Sequence, residues 1–378
     1  MKILIVNDCM NAGGTEKLIK DICNLYNKNN IDLYLATFTK GEWDYIVDGN
    51  VSGHYYFEKK RNSNGLMNKV CKYFFNMPQY QVLKENFDVC IVFKQLCYET
   101  MRYVKAKKYI LWVHEDYAYN VLYESKKWWK RKLAYKHKKK FLKNYNAIVA
   151  CSANAKESYE KYYKLHDLFV IKNSINEIEI NDKCEETVDL PISFKENYMV
   201  NVSSLSDTIE GYGKRVDLLI QLFYQCLQYN NDLKLIIIGC GKLKYDLENL
   251  INDLKINDKC ILLGKIDNPY PYIKNASLML SASNAESFGL SVAESMYLGV
   301  PVVCFYNRGI SDFINNGQNS IVVDNNEDFV NEIIKVNHDN DYKIKLSLNA
   351  KKSMESNADI LGYVKKIEQL AFKVLVGE

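Results

Sequence analysis

Two kinds of stretch alternate along the chain. One kind is a short run of consecutive apolar residues, and the other is a longer segment whose apolar positions recur every three to four residues. The short runs are residues 2–8, 32–38, 89–93, 109–114, 147–152 and 168–173 in the first half. In the second half they are 198–205, 234–239, 260–264, 278–283, 301–305 and 320–324. Continuous apolar runs, rather than alternating ones, mark strands covered on both faces. Interleaved with helices, they predict parallel sheets joined by right-handed crossovers, about six strands to each half. Residues 174–197 are polar and acidic with weak periodicity and read as a linker. The expected organisation is a domain over 1–175, a linker over 176–197 and a second domain over 198–356. A final helix near 357–378 is expected to pack back on the first domain. The fold class is therefore α/β, with two doubly wound Rossmann-like domains and a cleft between them. Ligands of such sheets bind at the carboxyl ends of the strands.

Composition narrows the picture. The chain has 378 residues, 48% hydrophobic and 25% charged, with a net charge of +4. Disorder is excluded as the default state, and whole-chain electrostatics do not point to nucleic acid. The 11 cysteines include no CxxC pair, so neither a disulfide framework nor a zinc ribbon is expected. Cys151, Cys240 and Cys304 lie in apolar runs and read as small core residues. The opening MKILIVND reads as a buried strand rather than a signal peptide. No apolar run reaches the roughly 18 residues of a membrane span. Cytoplasmic placement is the simplest expectation.

Two strand-to-helix junctions carry candidate chemistry. After the first strand comes DCMNAGGTE (8–16), in which Gly13 and Gly14 let a ligand approach the backbone ahead of a helix N-terminus. It also reads as an ordinary tight turn, and the full GxGxxG dinucleotide fingerprint is absent. The second junction is SASNAESFGLSVAESMYLGVP (281–301). Ser287, Phe288, Gly289 and Leu290 form the turn, Gly299 stops the helix and Pro301 opens the next strand. Amides at the start of that helix suit a diphosphate. Glu286 precedes the helix and Glu294 lies within it, on the order of 10 Å away along the helix rise. That separation suits two acids gripping hydroxyls, not a shared-proton dyad. A capping glutamate plus a solvated one is the plainer alternative.

The spacing of E286-SFGLSVA-E294 resembles the E-x7-E motif of retaining GT-B glycosyltransferases of family 4. Further segments resemble that family in order: DCMNAGGTEKLIKDI, VIKNSIN (170–176), NVSSLSDTIEGYGKRVDLLI (201–220) and GVPVVCFYNRGISDFINNGQNSIVV (299–323). The resemblance implies that Glu294 holds a nucleotide ribose and that Glu286 sits near the donor sugar's hydroxyls. It implies backbone contacts to sugar and phosphate from Phe288 through Ser291, with Lys214 on the diphosphate and Arg215 beside it. Gly13 and Gly14 would face that diphosphate, and His114, in WVHED, would lie close to the reacting sugar.

Three departures stand out. Ser204 replaces an expected arginine, which removes a bidentate phosphate partner. Ile310 falls where a glycine is usual, and Asp312 where a glutamate is. The implied reaction retains anomeric configuration, with a UDP-sugar favoured as donor and no metal or other cofactor required. A literal D-x-D, Asp339-Asn340-Asp341, reads as a solvated loop. The alternatives are a non-catalytic GT-B partner subunit binding glycan or an active transferase and, more remotely, a nucleotide-sugar epimerase.

Residues 126–143, KKWWKRKLAYKHKKKFLK, hold ten Lys/Arg and no acid. Lys126, Lys127, Trp128, Trp129, Lys130, Arg131 and Lys132 form the candidate membrane or acceptor patch. Trp129, Leu133 and Phe141 fall at helical spacing. A basic helix with tryptophans fits an anionic membrane surface at the inner face of the plasma membrane. A domain helix with solvated lysines is the other reading. A lipid-linked glycan acceptor, in cell-surface polysaccharide or capsule synthesis, would account for such a patch.

Overall fold

The computed structural model describes residues 1–11, 13–58, 80–94, 97–114, 128–194, 197–205 and 213–377. The chain divides into two compact units, Met1–Asn173 with Leu361–Glu378, and Ser174–Ile360.

The first unit is built on β1 (Lys2–Asn7), β2 (Asp32–Thr37), β3 (Gly53–Tyr56), β4 (Asn86–Val92), β5 (Lys105–Val113), β6 (Ala147–Ala150) and β7 (Phe169–Val170). They form one sheet in the order β3-β2-β1-β4-β5-β6-β7, with every pairing parallel. Two strands depart from the sequence reading. β3, with sequence GHYY, is an edge strand too short and too polar to signal itself. β7 is only two residues long, against the expected 168–173. The final helix, Ile360–Val376, lies almost wholly in this unit. The Tyr363 ring meets Trp112 edge-on at 6.3 Å.

The second unit holds β8 (Met199–Val202), β9 (Leu235–Ile238), β10 (Cys260–Gly264), β11 (Leu278–Ser281), β12 (Val302–Phe305) and β13 (Ile321–Val323). Their order is β10-β9-β8-β11-β12-β13, again parallel throughout. Each sheet thus reverses its strand order once, between β1 and β4 and between β8 and β11. These are the switch points where parallel sheets open a crevice for ligands.

Residues 176–194 are more ordered than a polar linker. They include the helix Glu177–Lys183, capped by the Asn176 side chain on the Glu179 amide. Ile180, Cys184, Leu190 and Phe194 are buried in the second unit's core with Tyr198 and Met279. Their apolar positions are too widely spaced to stand out among the acidic residues. Asp339-Asn340-Asp341 is not a loop: Asp339 caps the helix Asn340–Glu355 by accepting from the Tyr342 amide. Cys240 is exposed, between Gly239 and Gly241 after β9, whereas Cys151 and Cys304 are buried as expected. Among the described residues no helix is long and apolar enough to cross a membrane.

Trp112 is fully buried and stacks on Phe93 at 5.1 Å, with Tyr363 against its edge. Trp112→Ala is expected to cost the first unit about 3–5 kcal/mol. In urea unfolding this appears as an early transition for the first unit, while the second unit's transition stays in place.

Candidate functional site

The carboxyl end of β11 runs into the turn Ala282–Gly289 and then the helix Leu290–Tyr297. The helix starts at Gly289, whose φ of 74° lies in the left-handed region. A Cβ placed there would lie 2.5 Å from the Cγ2 of Ile310. The Phe288 ring turns into the core and packs on Phe313 at 5.2 Å. Phe288 therefore has only its backbone to offer a ligand. The glycine cap has no side chain with which to bond the first-turn amides. Those of Leu290, Ser291 and Val292 have no intrahelical partner by helix geometry. The positive end of the helix dipole lies at this turn.

Glu286 is held from both sides. A Cβ on Gly309 would collide with the Glu286 carbonyl. The close approach therefore falls at Gly309, and Ile310 is a buried core residue. The departure at Ile310 thus leaves the turn intact. The carboxylate of Glu286 accepts from Lys214 Nζ at 2.6 Å through each oxygen, with the two side chains 10% and 27% exposed. Lys214 is positioned by its neighbour Gly213, whose amide donates to Asn284 Oδ1 at 3.1 Å. The Gly213 carbonyl accepts from Ser283 Oγ at 3.2 Å and from the Asn284 amide at 3.3 Å. Asn307 Nδ2 in turn donates to the Ser283 carbonyl. Glu294 is 4% exposed, within the helix whose N-terminus forms the turn. Arg215 begins the helix Val216–Leu227 in a left-handed conformation, its guanidinium 5.4 Å from the Phe305 ring centre. Ser204 is exposed after β8. Ser287 lies in the turn, half-buried.

Of the residues singled out in the sequence, the structure brings Lys214 and Glu286 into contact and places Glu294 in the helix that follows the Gly289 turn. The sequence reading missed Asn284, Ser283, Asn307 and Gly309, whose roles depend on contacts between distant segments.

A second polar cluster lies at the switch point of the first sheet. Lys94, just past β4, places Nζ 2.8 Å from both Asp8 Oδ1 and Glu16 Oε1. Asn7 Nδ2 adds a hydrogen bond to Glu16 Oε1 at 3.1 Å. Burial works against the Lys94 charge, but Glu16 and Asp8 outweigh it and hold its ammonium above the usual lysine range. A Cβ on Gly13 would meet the other oxygen of Glu16 and displace the end of that side chain. Gly14 is the first residue of the helix Gly14–Leu25. Asp8, Cys9 and Glu16 bring metal-ligand types within 4.8 Å. The Lys94 ammonium already neutralises two of them. Lys94, a lone lysine ending an apolar strand, carried no sequence signal.

His114 is buried and stacked on Phe93 at 5.6 Å. Its Nε2 has no hydrogen-bond partner among the described residues. Burial, helped by Lys94, pushes its pKa down from 6.5 to about 3. The ring is therefore neutral at physiological pH.

Of the basic patch, Lys126 and Lys127 lie outside the described residues. Trp128, Trp129, Lys130 and Arg131 open the helix Trp128–Leu142. Lys132, Lys136, Lys140 and Lys143 are exposed. The expected apolar stripe is divided: Leu133 is exposed, whereas Phe141 is buried against Tyr98 at 5.6 Å. Two polar residues also face inward. His137 pairs with Glu99 at 3.0 Å, and buried Lys138 sits 5.7–5.8 Å from the ring centres of Tyr98, Tyr159 and Tyr163.

Two predictions follow from this geometry. Gly309→Ala forces the Glu286 turn to shift and is expected to destabilise the second unit by about 1–3 kcal/mol, read as a lower urea midpoint. For His114 the folded pKa lies below the unfolded one, so the unfolded chain takes up the proton first as pH falls. Stability is whole above about 6.5 and declines from there toward about 3. His114→Phe should flatten that part of the stability–pH curve.

Residues 184–353 match the family model described as glycosyl transferases group 1. The chain is 29% identical over 210 residues to the N-acetylgalactosamine-N,N'-diacetylbacillosaminyl-diphospho-undecaprenol 4-alpha-N-acetylgalactosaminyltransferase of Campylobacter jejuni, covering 55% of this chain and 53% of that protein. It is 25% identical over 270 residues to the alpha-monoglucosyldiacylglycerol synthase of Acholeplasma laidlawii, covering 70% and 61%. The chain spans about half the length, or less, of curated relatives it matches. Among solved structures, Anabaena HepE in complex with UDP and glucose superposes with a TM-score of 0.74 at 16% identity, covering 98% of this chain and 99% of that one. As the resemblance read from the sequence implied, residues 184–353 match the glycosyl transferases group 1 model, and the two parallel-sheet Rossmann-like domains have the fold of GT-B glycosyltransferases.

Proposed function

We propose that the chain is a retaining glycosyltransferase of family 4 type. It moves a hexosyl or N-acetylhexosaminyl group from a nucleotide-sugar, a UDP-sugar by preference, onto a lipid-linked glycan. The observation that carries this reading is the Lys214–Glu286 pair beside a glycine-capped helix N-terminus, with Glu294 buried in that same helix. Lys214 and the helix amides would stabilise the departing diphosphate. Glu294 would hold ribose hydroxyls and Glu286 those of the sugar. Both oxygens of Glu286 bind an ammonium, which suits a hydrogen-bonding ion better than a nucleophile. Same-face attack with a donor phosphate oxygen as base fits that arrangement, in contrast to the two-carboxylate route of retaining hydrolases. With lysine and amides supplying positive charge, the scheme needs no metal. Neutral His114, whose Nε2 has no hydrogen-bond partner among the described residues, would accept from a sugar hydroxyl.

Names of relatives support the acceptor class. The Campylobacter jejuni enzyme is named for a diphospho-undecaprenol acceptor and the Acholeplasma laidlawii enzyme for a diacylglycerol glycolipid. The exposed lysines of the helix Trp128–Leu142 suit an anionic membrane surface, at about 1 kcal/mol per basic residue near the headgroups. Cytoplasmic action at the inner leaflet, in synthesis of a cell-surface polysaccharide, is the consistent setting.

Transfer from UDP-sugars to an undecaprenyl-diphosphate glycan tests the proposal. The product's anomeric proton should keep the donor's configuration, and EDTA should leave the rate unchanged. Glu286→Ala should lower turnover at least about 100-fold with the fold intact; wild-type turnover by that variant contradicts the assignment. Replacing Lys132, Lys136 and Lys140 by Glu should abolish sedimentation with phosphatidylglycerol vesicles.

A further inference from the structure

Lys214 and Glu286 pair directly, and the backbone beside each is anchored. The backbone of Glu286 is fixed by Gly309, which packs against its carbonyl. Lys214 follows Gly213, which is tied to Asn284 and Ser283 by three hydrogen bonds. The principal cation of the site is therefore neutralised at 2.6 Å on both carboxylate oxygens. The neighbouring Arg215 lies over the Phe305 ring, its guanidinium 5.4 Å from the ring centre. An anion entering this site competes with Glu286 for Lys214.

The two ligands of a transfer cycle meet this competition differently. A nucleotide-sugar brings hydroxyls that can satisfy the carboxylate while its diphosphate takes the lysine. The nucleoside diphosphate left after transfer has no such hydroxyls and carries one more negative charge on its terminal phosphate. It therefore faces a carboxylate with nothing to bind. Building on the proposed function, we infer that Glu286 is a specificity-determining residue, admitting the sugar-bearing donor and disfavouring the bare diphosphate product through its hold on Lys214. Product release would then be driven by re-formation of the ion pair.

The prediction runs against the usual effect of deleting a binding residue. Glu286→Gln keeps shape and removes the charge, leaving Lys214 free for phosphate. Calorimetric titration of the full-length chain with UDP and UDP-glucose, and with GDP and GDP-mannose, should show the following. Glu286→Gln binds the diphosphate about tenfold more tightly than wild type, a size expected for a close charge in a half-buried site. The nucleotide-sugar gains little or loses affinity. Adding Lys214→Met abolishes the gain. Matching thermal midpoints of the unliganded proteins separate this from a change in folding. Equal or weaker diphosphate binding by Glu286→Gln, or a gain that survives Lys214→Met, overturns the inference and leaves the donor site standing. Failure of wild type and variant to bind any of the four ligands overturns the donor-site reading and the inference with it.

Discussion

A parallel sheet covered on both faces has room for polar chemistry only at its strand ends. That constraint governs both units. Every described strand pairing is parallel, and most strand residues are buried. Charged groups inside such a sheet would face a steep desolvation cost. They collect instead where the strand order reverses, because there the flanking crossovers leave in opposite directions and open a crevice. Asp8, Glu16 and Lys94 sit at one reversal, and Lys214 and Glu286 at the other.

The two clusters solve the same problem of holding an acid near a glycine turn. In the first unit Glu16 lies against Gly13 and is neutralised by Lys94. In the second, Glu286 lies against Gly309 and is neutralised by Lys214. Each acid is half-buried or more, and a buried charge is costly unless an opposite charge lies close by. The lysines supply that charge. They also tie the turns to segments far away in the chain: Lys94 lies 78 residues beyond Glu16, and Glu286 lies 72 beyond Lys214.

This explains which features were legible in the sequence. Uninterrupted apolar runs reported the strands well because burial on both faces leaves no polar alternation to confuse the pattern. The edge strand GHYY was lost because it is short and half-buried, so its composition resembles a loop. The linker segment misled for the opposite reason: Asp182, Glu185, Glu186 and Asp189 are exposed while Ile180, Leu190 and Phe194 enter the core singly. Glu286, Gly289 and Glu294 were readable because a turn followed by a helix is a local arrangement with fixed spacing. Their supports were not, since Asn284, Asn307 and Gly309 matter only through the segments they touch. Cys240 shows the limit of composition alone: an apolar run predicted burial, but two glycines carry it out to the surface.

The central claim is that the switch point of the second sheet holds a nucleotide through Glu294. Thermal unfolding of wild type and Glu294→Gln with UDP, GDP, ADP and CMP tests it most directly. A ligand at about 100 times its dissociation constant stabilises the native state by about 2.7 kcal/mol. The account predicts such a shift for one nucleotide with wild type, and loss of most of it in Glu294→Gln, where charge-assisted bonds to ribose hydroxyls are gone. A wild type that responds to none of the four, or a variant that responds equally, would contradict it.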